Sequence, residues 1–487
     1  MQEPRPKFPT HGMPKEKILQ TMQDLRENDV KWHEGKVFSL VFHAGDEIND
    51  LLKEAYTMFF SENGLNPTAF PSLRRFETEV VAMVASLLGS DGNVVGNMTS
   101  GGTESILMAV KTARDYARIK QPEIRKPEII VPATVHPAFD KAGEYFDVKI
   151  IHTPIDKNLQ ADVDAMRTAI TPNTIMLVGS APAYPHGIVD PIPEIAKLAQ
   201  EHSLLCHVDA CVGGMMLPFV RRLGYPVTDF DFSVPGVTSL SVDLHKYGYA
   251  AKGASVILYR TRELRRAQIF VSTDWAGGIY ASPTLGGTRP GGAIAAAWAV
   301  MNYLGEEGYT EIARTVMETT KKVQKGIEGI EGIEGIQILG NPEMSVMAIA
   351  SDTLNIYEVG DEMTMRGWHL DRQQFPPTLH LTVNYAHAQS VDAFLRDLAE
   401  SVAIVKKPSL GKIENKIVVN AVKLITRVLH ENIVSKITAR ASALLGGGSG
   451  LPQRSAAMYG MMGTLPNRGD LKELVLDLVE GFTMPQK

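Results

Sequence analysis

The stretch SVDLHKYGYAAKG, residues 241–253, places a lysine between a histidine and a tyrosine directly after an apolar, β-branched run. The run VTSLSVD is typical of a buried strand, and the glycines that follow indicate a turn. Most lysine side chains are exposed to solvent, so the position of Lys246 just after a buried strand is unusual. The alternatives are a solvated turn residue and an amine that reacts with a carbonyl group.

The sequence around this stretch predicts an α/β fold. From about residue 75 to 260, short β-branched runs such as EIIVPA, VKIIHT, TIMLVGS and LLCHVDA alternate with amphipathic helical segments. That alternation is typical of a mostly parallel sheet with helices on both faces.

The chain divides into three predicted parts. We expect an N-terminal arm over residues 1–60, a large domain over 61–300 and a smaller C-terminal α/β domain over 301–487. The last part starts with a long helical pattern and continues through VMAIASDTLNIYEV, which we interpret as a strand, to further helices. The short repeat GIEGIEGIEGI, residues 326–336, is too brief for a solenoid and predicts a helix end followed by a turn.

Composition excludes several classes of protein. The chain has 487 residues, is 44% hydrophobic and carries a net charge of −6, without a dense basic block for nucleic acid. No stretch reaches the roughly 18 uncharged apolar residues that a membrane span needs. We therefore expect no transmembrane segment. The two cysteines give no disulfide framework and make a poor metal site, so we also expect no bound metal and a cytoplasmic location.

Three polar residues follow predicted strands at the point where ligands bind in parallel sheets. His136 follows EIIVPAT, Asp209 ends LLCHVD, and Lys246 follows SLSVDLH. Each alone has an ordinary explanation, as a helix cap, a buried histidine or a solvated turn. Their joint occurrence favours one binding site.

A fourth feature is the segment NMTSGGTES, residues 97–105, which opens a predicted helix. Ser100, Gly101, Gly102 and Thr103 can direct backbone N–H groups and hydroxyls at an anion, although Ser100 and Thr103 also fit an ordinary capping box. A phosphate cradle, a carboxylate, an imidazole and a lysine together match pyridoxal 5'-phosphate. We therefore predict this cofactor.

The motifs resemble those of pyridoxal-phosphate enzymes of the aspartate-aminotransferase fold type, also called transferase fold type I, and among them the sphingosine-1-phosphate lyase family. The resemblance rests on NMTSGGTESI, VHPAFDKA, GSAPAYPHGIVDPI, HVDACVGG, DLHKYGYAAKGAS and GGTRPGG. It is strong over residues 40–300 and looser elsewhere. HKYG alone also occurs in glutamate-type decarboxylases, whereas HKYGYAAKG followed by GGTRPGG is more selective.

The resemblance implies a role for each matching position. Lys246 forms the imine with the cofactor aldehyde, Asp209 pairs with the ring nitrogen, and His136 stacks on the ring. Gly102, Thr103 and His245 contact the cofactor phosphate, next to the candidates Ser100 and Gly101, and Gly287 and Thr288 reach a phosphate from the partner subunit. The resemblance thus implies a homodimer with active sites at the subunit interface.

The implied reaction is a retro-aldol cleavage of phosphorylated sphingoid bases such as sphingosine 1-phosphate. It yields a long-chain aldehyde and phosphoethanolamine, and it needs a base near the substrate 3-hydroxyl. Tyr184 and Tyr459 match that role, with Lys252 nearby, although both tyrosines also fit buried positions with a hydrogen-bonded hydroxyl. The alternatives are an amino-acid decarboxylase of the group II type and a scaffold that is not catalytic.

Some positions depart from the family pattern. His186 stands where an aromatic residue is frequent, and the N-terminal membrane helix of eukaryotic members is not found, so the chain resembles the soluble bacterial kind. The segment LVFHAGD, residues 40–46, matches the family only approximately. His43 and Arg289 are therefore candidates for the substrate phosphate without a motif to support them.

Overall fold

The large domain is built on a mostly parallel sheet. The structure is a computed structural model that describes residues 7–329, 332–407, 456, 459 and 468–483. In that part of the chain the main sheet has seven strands in the order β1-β7-β6-β5-β4-β2-β3, and only β7 runs against its neighbours. The strands are β1 (Val95–Thr99), β2 (Glu128–Pro132), β3 (Lys149–Thr153), β4 (Thr174–Ser180), β5 (Leu205–Asp209), β6 (Ser239–Asp243) and β7 (Ser255–Tyr259).

Helices connect the strands and cover the sheet. Every residue of β2, β4, β6 and β7 is buried, as expected of strands that are covered on both faces. This agrees with the α/β architecture predicted from the sequence. The helices are α3 (Pro71–Leu87), α4 (Gly102–Lys120), α5 (Ala138–Phe146), α6 (Val163–Ala169), α7 (Ile192–Glu201), α8 (Leu217–Arg222) and α9 (Arg262–Gln268).

A hairpin and a long helix lead out of the large domain. The hairpin strands β8 (Phe270–Trp275) and β9 (Gly278–Ser282) form a separate two-stranded sheet. The helix α10 (Gly291–Gly329) is kinked at Gly305, which has a φ of 55° and a ψ of −169°. Its first part packs in the large core, and its last turns, around Val323 and Ile327, join a second hydrophobic cluster.

The smaller C-terminal domain has its own sheet. Its antiparallel strands lie in the order β10-β11-β13-β12, and helices pack against them. The elements are β10 (Gln337–Ile338), β11 (Val346–Ala350), α11 (Ile356–Met365), β12 (Asp371–Gln374), β13 (Pro377–Thr382), α12 (Val391–Lys406) and α13 (Arg468–Thr483). The prediction of one strand over VMAIASDTLNIYEV is wrong in its second half, because the Asn355 side chain accepts the Tyr357 N–H and starts α11.

The N-terminal arm reaches both domains. Its helix α2 (Asp46–Met58) packs against α10, while α1 (Lys15–Arg26) has no buried residue. Phe38 is buried in the hydrophobic cluster of the small domain. Its backbone N–H donates to the carbonyl of His369, and its carbonyl accepts the N–H of Thr382. None of the described helices is both long and apolar enough to cross a bilayer.

Candidate active site

One cavity lies at the carboxyl ends of the parallel strands. Its volume is about 520 Å³, and it gathers residues from β4, β5 and β6 and from the start of α4. Ten of the thirteen predicted site residues line it. They are Ser100, Gly101, Gly102, Thr103, His136, Tyr184, Asp209, His245, Lys246 and Lys252.

Lys246 is the cation at the base of this cavity. It follows the end of β6, and its Nζ lies 2.9 Å from Oδ2 of Asp243, whose side chain is 2% exposed. Burial opposes the charge on Lys246, but nearby acidic groups, Asp243 first and then Cys211 and Asp209, together raise the Lys246 pKa above its ordinary value. Burial disfavours the Asp243 carboxylate as well, yet the Lys246 ammonium lowers the pKa of Asp243. Lys246 is therefore held as an ammonium by a buried partner.

Asp209, at the end of β5, begins a buried chain of hydrogen bonds. Its Oδ1 accepts the Cys211 N–H at 3.1 Å and the Ser241 hydroxyl at 3.2 Å. The Ser241 oxygen also lies 3.2 Å from Nε2 of His207, and burial lowers the pKa of that histidine to about 4. A neutral His207 adds no charge beside Asp209, whose carboxylate lines the cavity and suits a partner for a protonated ring nitrogen.

The imidazole of His136 is oriented by its own helix. Its Nδ1 accepts the backbone N–H of Ala138 at 3.1 Å, at the start of α5. The ring therefore lines the cavity with a defined orientation. A flat group held in this way can stack on an aromatic cofactor ring.

The start of α4, where the sequence predicts an anion cradle, lines the cavity. A Cβ at Gly102 would lie 2.8 Å from Sγ of Cys211 and 2.9 Å from both carboxylate oxygens of Asp243, so only glycine fits there. The capping box differs from the prediction, since Glu104 rather than Thr103 accepts the Ser100 N–H and hydroxyl, at 2.6 and 2.7 Å. Thr103 is exposed and remains available to a ligand.

His245 stands beside this cradle. Its Nδ1–H donates to the carbonyl of Ala254 at 2.7 Å, and its Cε1 would be 3.6 Å from a Cβ at Gly101. Burial lowers the pKa of His245 in spite of the nearby Asp243 carboxylate. The imidazole is therefore neutral at pH 7, and its Nε2 lies 3.8 Å from Oδ2 of Asp243.

Two residues at the mouth of the cavity can move protons. Burial, and then the charge of Lys246, lower the pKa of Lys252 to about 8, and its Nζ lies 5.6 Å from the Phe42 ring centroid. The hydroxyl of Tyr184 donates to Oδ2 of Asp371 at 2.8 Å. Burial and that carboxylate raise the pKa of Tyr184 far above its ordinary value.

Three predicted site residues lie outside this cavity. Thr288 lines a neighbouring cavity of about 130 Å³ together with Ser100 and Gly253, and Gly287 is next to it in the chain. Tyr459 lies in the small-domain cluster, with its ring 5.7 Å from that of Tyr357. Their functional roles stay predictions.

The two candidates for the substrate phosphate are engaged elsewhere in this chain. Arg289 donates to Glu77 and to the Gly64 carbonyl, both at 2.6 Å. His43 lies 3.6 Å from Asp46 at the start of α2, and burial lowers its pKa. Neither side chain lines the cavity that holds Lys246.

Sequence reasoning missed Asp243, Glu104 and Asp371. Asp243 lies three residues before Lys246 in the opening stretch, and this spacing after a strand is a signal that could have found it. Glu104 is the third residue of α4, where a capping-box carboxylate is common. Asp371 belongs to another sheet and no motif marks it.

The fold and cavity define a pyridoxal-phosphate-dependent enzyme of the decarboxylase type, and residues 1–348 match the pyridoxal-dependent decarboxylase conserved domain. The chain is 43% identical to sphingosine-1-phosphate lyase of Oryza sativa over 98% of its length and 81% of the relative's. It is 47% identical to sphingosine-1-phosphate lyase of Dictyostelium discoideum over 82% of its length and 75% of the relative's. The chain belongs to the sphingosine-1-phosphate lyase family.

A solved structure supports the same assignment. The sphingosine-1-phosphate lyase of Burkholderia pseudomallei is 40% identical to this chain and superposes with a TM-score of 0.79, over 85% of this chain and 96% of that one. The protein is thus a pyridoxal-phosphate-dependent lyase, and its cavity residues fit that cofactor. The fit rests on the glycine at position 102, where a side chain would clash, on the Asp209 carboxylate and on the lysine paired with Asp243.

Proposed function

We propose that this chain cleaves the Cα–Cβ bond of sphingosine 1-phosphate or a related phosphorylated long-chain base. The products are a long-chain aldehyde and phosphoethanolamine. The observation that carries this proposal is the meeting of Lys246, Asp209 and His136 at one cavity in a chain of this family. The bound cofactor supplies an aldehyde for the substrate amine and a ring that accepts the electron pair of the broken bond.

Three residues prepare the site for the cofactor in this proposal. Lys246 provides the amine that binds the cofactor aldehyde, after it has given up the proton that Asp243 favours. Asp209 would pair with the ring nitrogen and favour its protonated form, because a nearby carboxylate stabilises the cation. His136 would stack on the ring, and the bond from the Ala138 N–H keeps the imidazole in its orientation.

The start of α4 and His245 hold the phosphate of the cofactor in this proposal. Backbone N–H groups of Gly102 and Thr103 are at a helix N-terminus, where they have no partner within the helix and carry partial positive charge. The side chains of Ser100 and Thr103 add hydroxyls, and Gly101 leaves room beside His245. An anion of this size and charge suits such a site.

The remaining residues move protons. Tyr184 lines the cavity and is the candidate to receive the proton of the substrate 3-hydroxyl. The carbon that keeps the electron pair must then gain a proton, and Lys252, with a pKa of about 8, is a suitable acid at neutral pH. Tyr459 is a weaker candidate for either task, because its ring packs beside Tyr357 in the small domain.

We also propose that the enzyme is a homodimer. The hairpin β8–β9 leaves Phe270, Trp275 and Ile279 between 56% and 79% exposed, and α1 exposes a further set of large apolar side chains. Exposed apolar groups of this kind are typical of surfaces that a second subunit covers. Gly287 and Thr288 follow this hairpin, so a second copy could bring them to a phosphate of its neighbour. A cytoplasmic location fits this proposal.

The products distinguish the lyase from a decarboxylase. Purified protein loaded with pyridoxal phosphate is mixed with sphingosine 1-phosphate or with a panel of amino acids, and aldehyde and carbon dioxide are measured. We expect aldehyde from the phosphorylated base only, and none from Lys246→Ala. Carbon dioxide from an amino acid without aldehyde from the base would replace the lyase with a decarboxylase.

Borohydride reduction locates the cofactor amine. Reduced and digested wild-type protein should carry the pyridoxyl group on Lys246, and light scattering should give twice the mass of one chain. A pyridoxyl group on Lys252 would overturn the assignment of Lys246. A monomer that is fully active would overturn the dimeric site.

A further inference from the structure

Tyr184 links the cavity to the small domain. It lies in the loop after β4, lines the cavity with Lys246, and donates its hydroxyl to Asp371 on β12 at 2.8 Å. Its ring also stacks on His380 of β13, with centroids 4.1 Å apart and planes at 26°. Asp371 and His380 are directly opposite each other on the paired strands β12 and β13. One pair of strands therefore holds both the ring and the hydroxyl of Tyr184.

The neighbours of Tyr184 leave Asp371 as its proton partner. Burial lowers the pKa of His380 to about 4, and its Nε2 lies 2.6 Å from the Thr382 hydroxyl, so this histidine is neutral and already bonded. Burial also lowers the pKa of His186, which lies close enough to act on His380. His369 lies 3.6 Å from the other oxygen of Asp371. Lys246 and Lys252 both line the cavity, and Lys246 is paired with Asp243.

A phenolate at Tyr184 is strongly disfavoured in this setting. Burial removes the water that would stabilise the anion, and a phenolate would face the Asp371 carboxylate at hydrogen-bond distance. Tyr184 therefore cannot serve as a base by losing its proton beforehand. Its oxygen can still accept a proton while its own proton leaves, provided that a second group receives that proton.

We propose that Asp371 is a positioning residue for the lyase reaction, which holds the Tyr184 hydroxyl and accepts its proton as the Tyr184 oxygen takes the proton of the substrate 3-hydroxyl. The O–H bond of the substrate breaks and a new O–H bond forms on Tyr184. The former Tyr184 O–H bond breaks and an O–H bond forms on Asp371. The electron pair left on the substrate oxygen completes the C=O bond of the aldehyde as the Cα–Cβ bond breaks.

The surroundings of Asp371 allow it to pass the proton on. Its side chain is 34% exposed, and the His369 side chain beside it is 41% exposed, so water reaches this carboxylate. The proton of the substrate reaches Tyr184 in the cavity, and Asp371 releases a proton to water at the surface of the small domain. The small domain thereby contributes directly to catalysis, through a contact between residues 187 positions apart.

The test compares Asp371→Asn with Asp371→Ala, and the inference rests on the proposed lyase function. An amide oxygen can still accept the Tyr184 hydrogen bond, but an amide cannot take up the proton. We expect both variants to lose roughly 100-fold or more in kcat, with KM within about threefold for Asp371→Asn. Asp397→Asn is the matched control, because Asp397 is a small-domain carboxylate that accepts from Trp368 and should leave kcat unchanged.

A double-mutant cycle tests whether the two residues act in one relay. Tyr184→Phe should slow cleavage by about 10²–10⁴-fold, and adding Asp371→Asn to it should cost less than about threefold more. If wild type is active and the kcat of Asp371→Asn is within about threefold of it, the proton relay is wrong although the lyase function stands. The relay is also wrong if the losses of the two single variants multiply in the double variant. A wild type that forms no aldehyde would overturn the proposed function and the relay together.

A readout without substrate tests the contact itself. With 3-fluorotyrosine at position 184, fluorine NMR should show a lower tyrosine pKa in Asp371→Asn than in the wild-type chain, because the neighbouring negative charge is gone. Asp397→Asn should match the wild type. An unchanged titration in Asp371→Asn would contradict the contact whatever the enzyme does to its substrate.

Discussion

The Nζ of Lys246 lies 2.9 Å from the Asp243 carboxylate, and the two residues are three positions apart at the end of β6. This pair stabilises the ammonium form of Lys246, whereas an amine must be neutral to attack an aldehyde. Asp243 would therefore oppose the attachment of a cofactor aldehyde to Lys246, while it balances the charge of this partly buried lysine.

Asp243→Asn should speed the attachment of pyridoxal phosphate to apoprotein. Loss of the carboxylate lowers the pKa of Lys246, and each unit of that decrease gives tenfold more neutral amine at pH 7.5. Stopped-flow absorbance should show at least about a tenfold faster covalent phase. Asp164→Asn, on the exposed surface of α6, is the control and should not change it. An unchanged or slower covalent phase in Asp243→Asn would contradict this role.

Asp209→Asn should fold and lose most of its activity. Without the carboxylate the ring nitrogen loses the group that keeps it protonated, and loss of a buried charge partner costs about 3–5 kcal/mol. That energy corresponds to a fall in kcat of roughly 150- to 5,000-fold. Asp229→Asn changes a carboxylate whose side chain is 64% exposed and should be fully active. Activity of Asp209→Asn within about threefold of wild type would remove Asp209 from the mechanism.

Gly102→Ala should weaken cofactor binding, and Gly101→Ala is its matched control. A Cβ at Gly102 meets Cys211 and Asp243 at 2.8–2.9 Å, whereas a Cβ at Gly101 meets only His245 at 3.6 Å. Overpacking of this kind costs about 1–3 kcal/mol, so the Kd for pyridoxal phosphate should rise by roughly 5- to 150-fold. Fluorescence titration of apoprotein measures both variants. Equal affinities would show that the cradle tolerates a side chain at either position.

We expect kcat to fall on the alkaline side of about pH 8 because of Lys252. The pKa of Lys252 is lowered to about 8, so the ammonium is present below that pH and is lost above it. If the ammonium donates the proton to the carbon, kcat falls as pH rises through 8. In Lys252→Arg the side chain stays charged at every accessible pH, and kcat should be lower but flat there. An alkaline limb that persists near pH 8 in Lys252→Arg would assign the limb to another group.

Much of the large domain could be predicted from the sequence because buried parallel strands are continuous apolar runs. The strands β2, β4 and β5 stand out in this way. The edge strand β1 does not, since VGNMT contains Gly96 and Asn97, which are poor strand formers. Gly96 is needed there because a Cβ would lie 2.2 Å from the Ile257 carbonyl oxygen. That constraint comes from β7, which is far away in sequence.

That the candidate residues His136, Asp209 and Lys246 lie together was predictable for a similar reason. The carboxyl ends of parallel strands meet at one edge of the sheet, so residues that follow different strands come together there. His136, Asp209 and Lys246 satisfy this rule and line one cavity. The partner of Tyr184 was not predictable, because Asp371 belongs to an antiparallel sheet in the other domain and is placed by domain packing.

In the proposed reaction the Cα–Cβ bond of a phosphorylated long-chain base breaks, and Cα gains a proton that comes ultimately from solvent. Cleavage of sphingosine 1-phosphate in D2O tests this directly, with both products analysed by mass spectrometry. The account predicts phosphoethanolamine with one deuterium on carbon, and a long-chain aldehyde whose carbonyl carbon keeps its original hydrogen. Intact sphingosine 1-phosphate after prolonged incubation with the loaded enzyme, or phosphoethanolamine without carbon-bound deuterium, would contradict it.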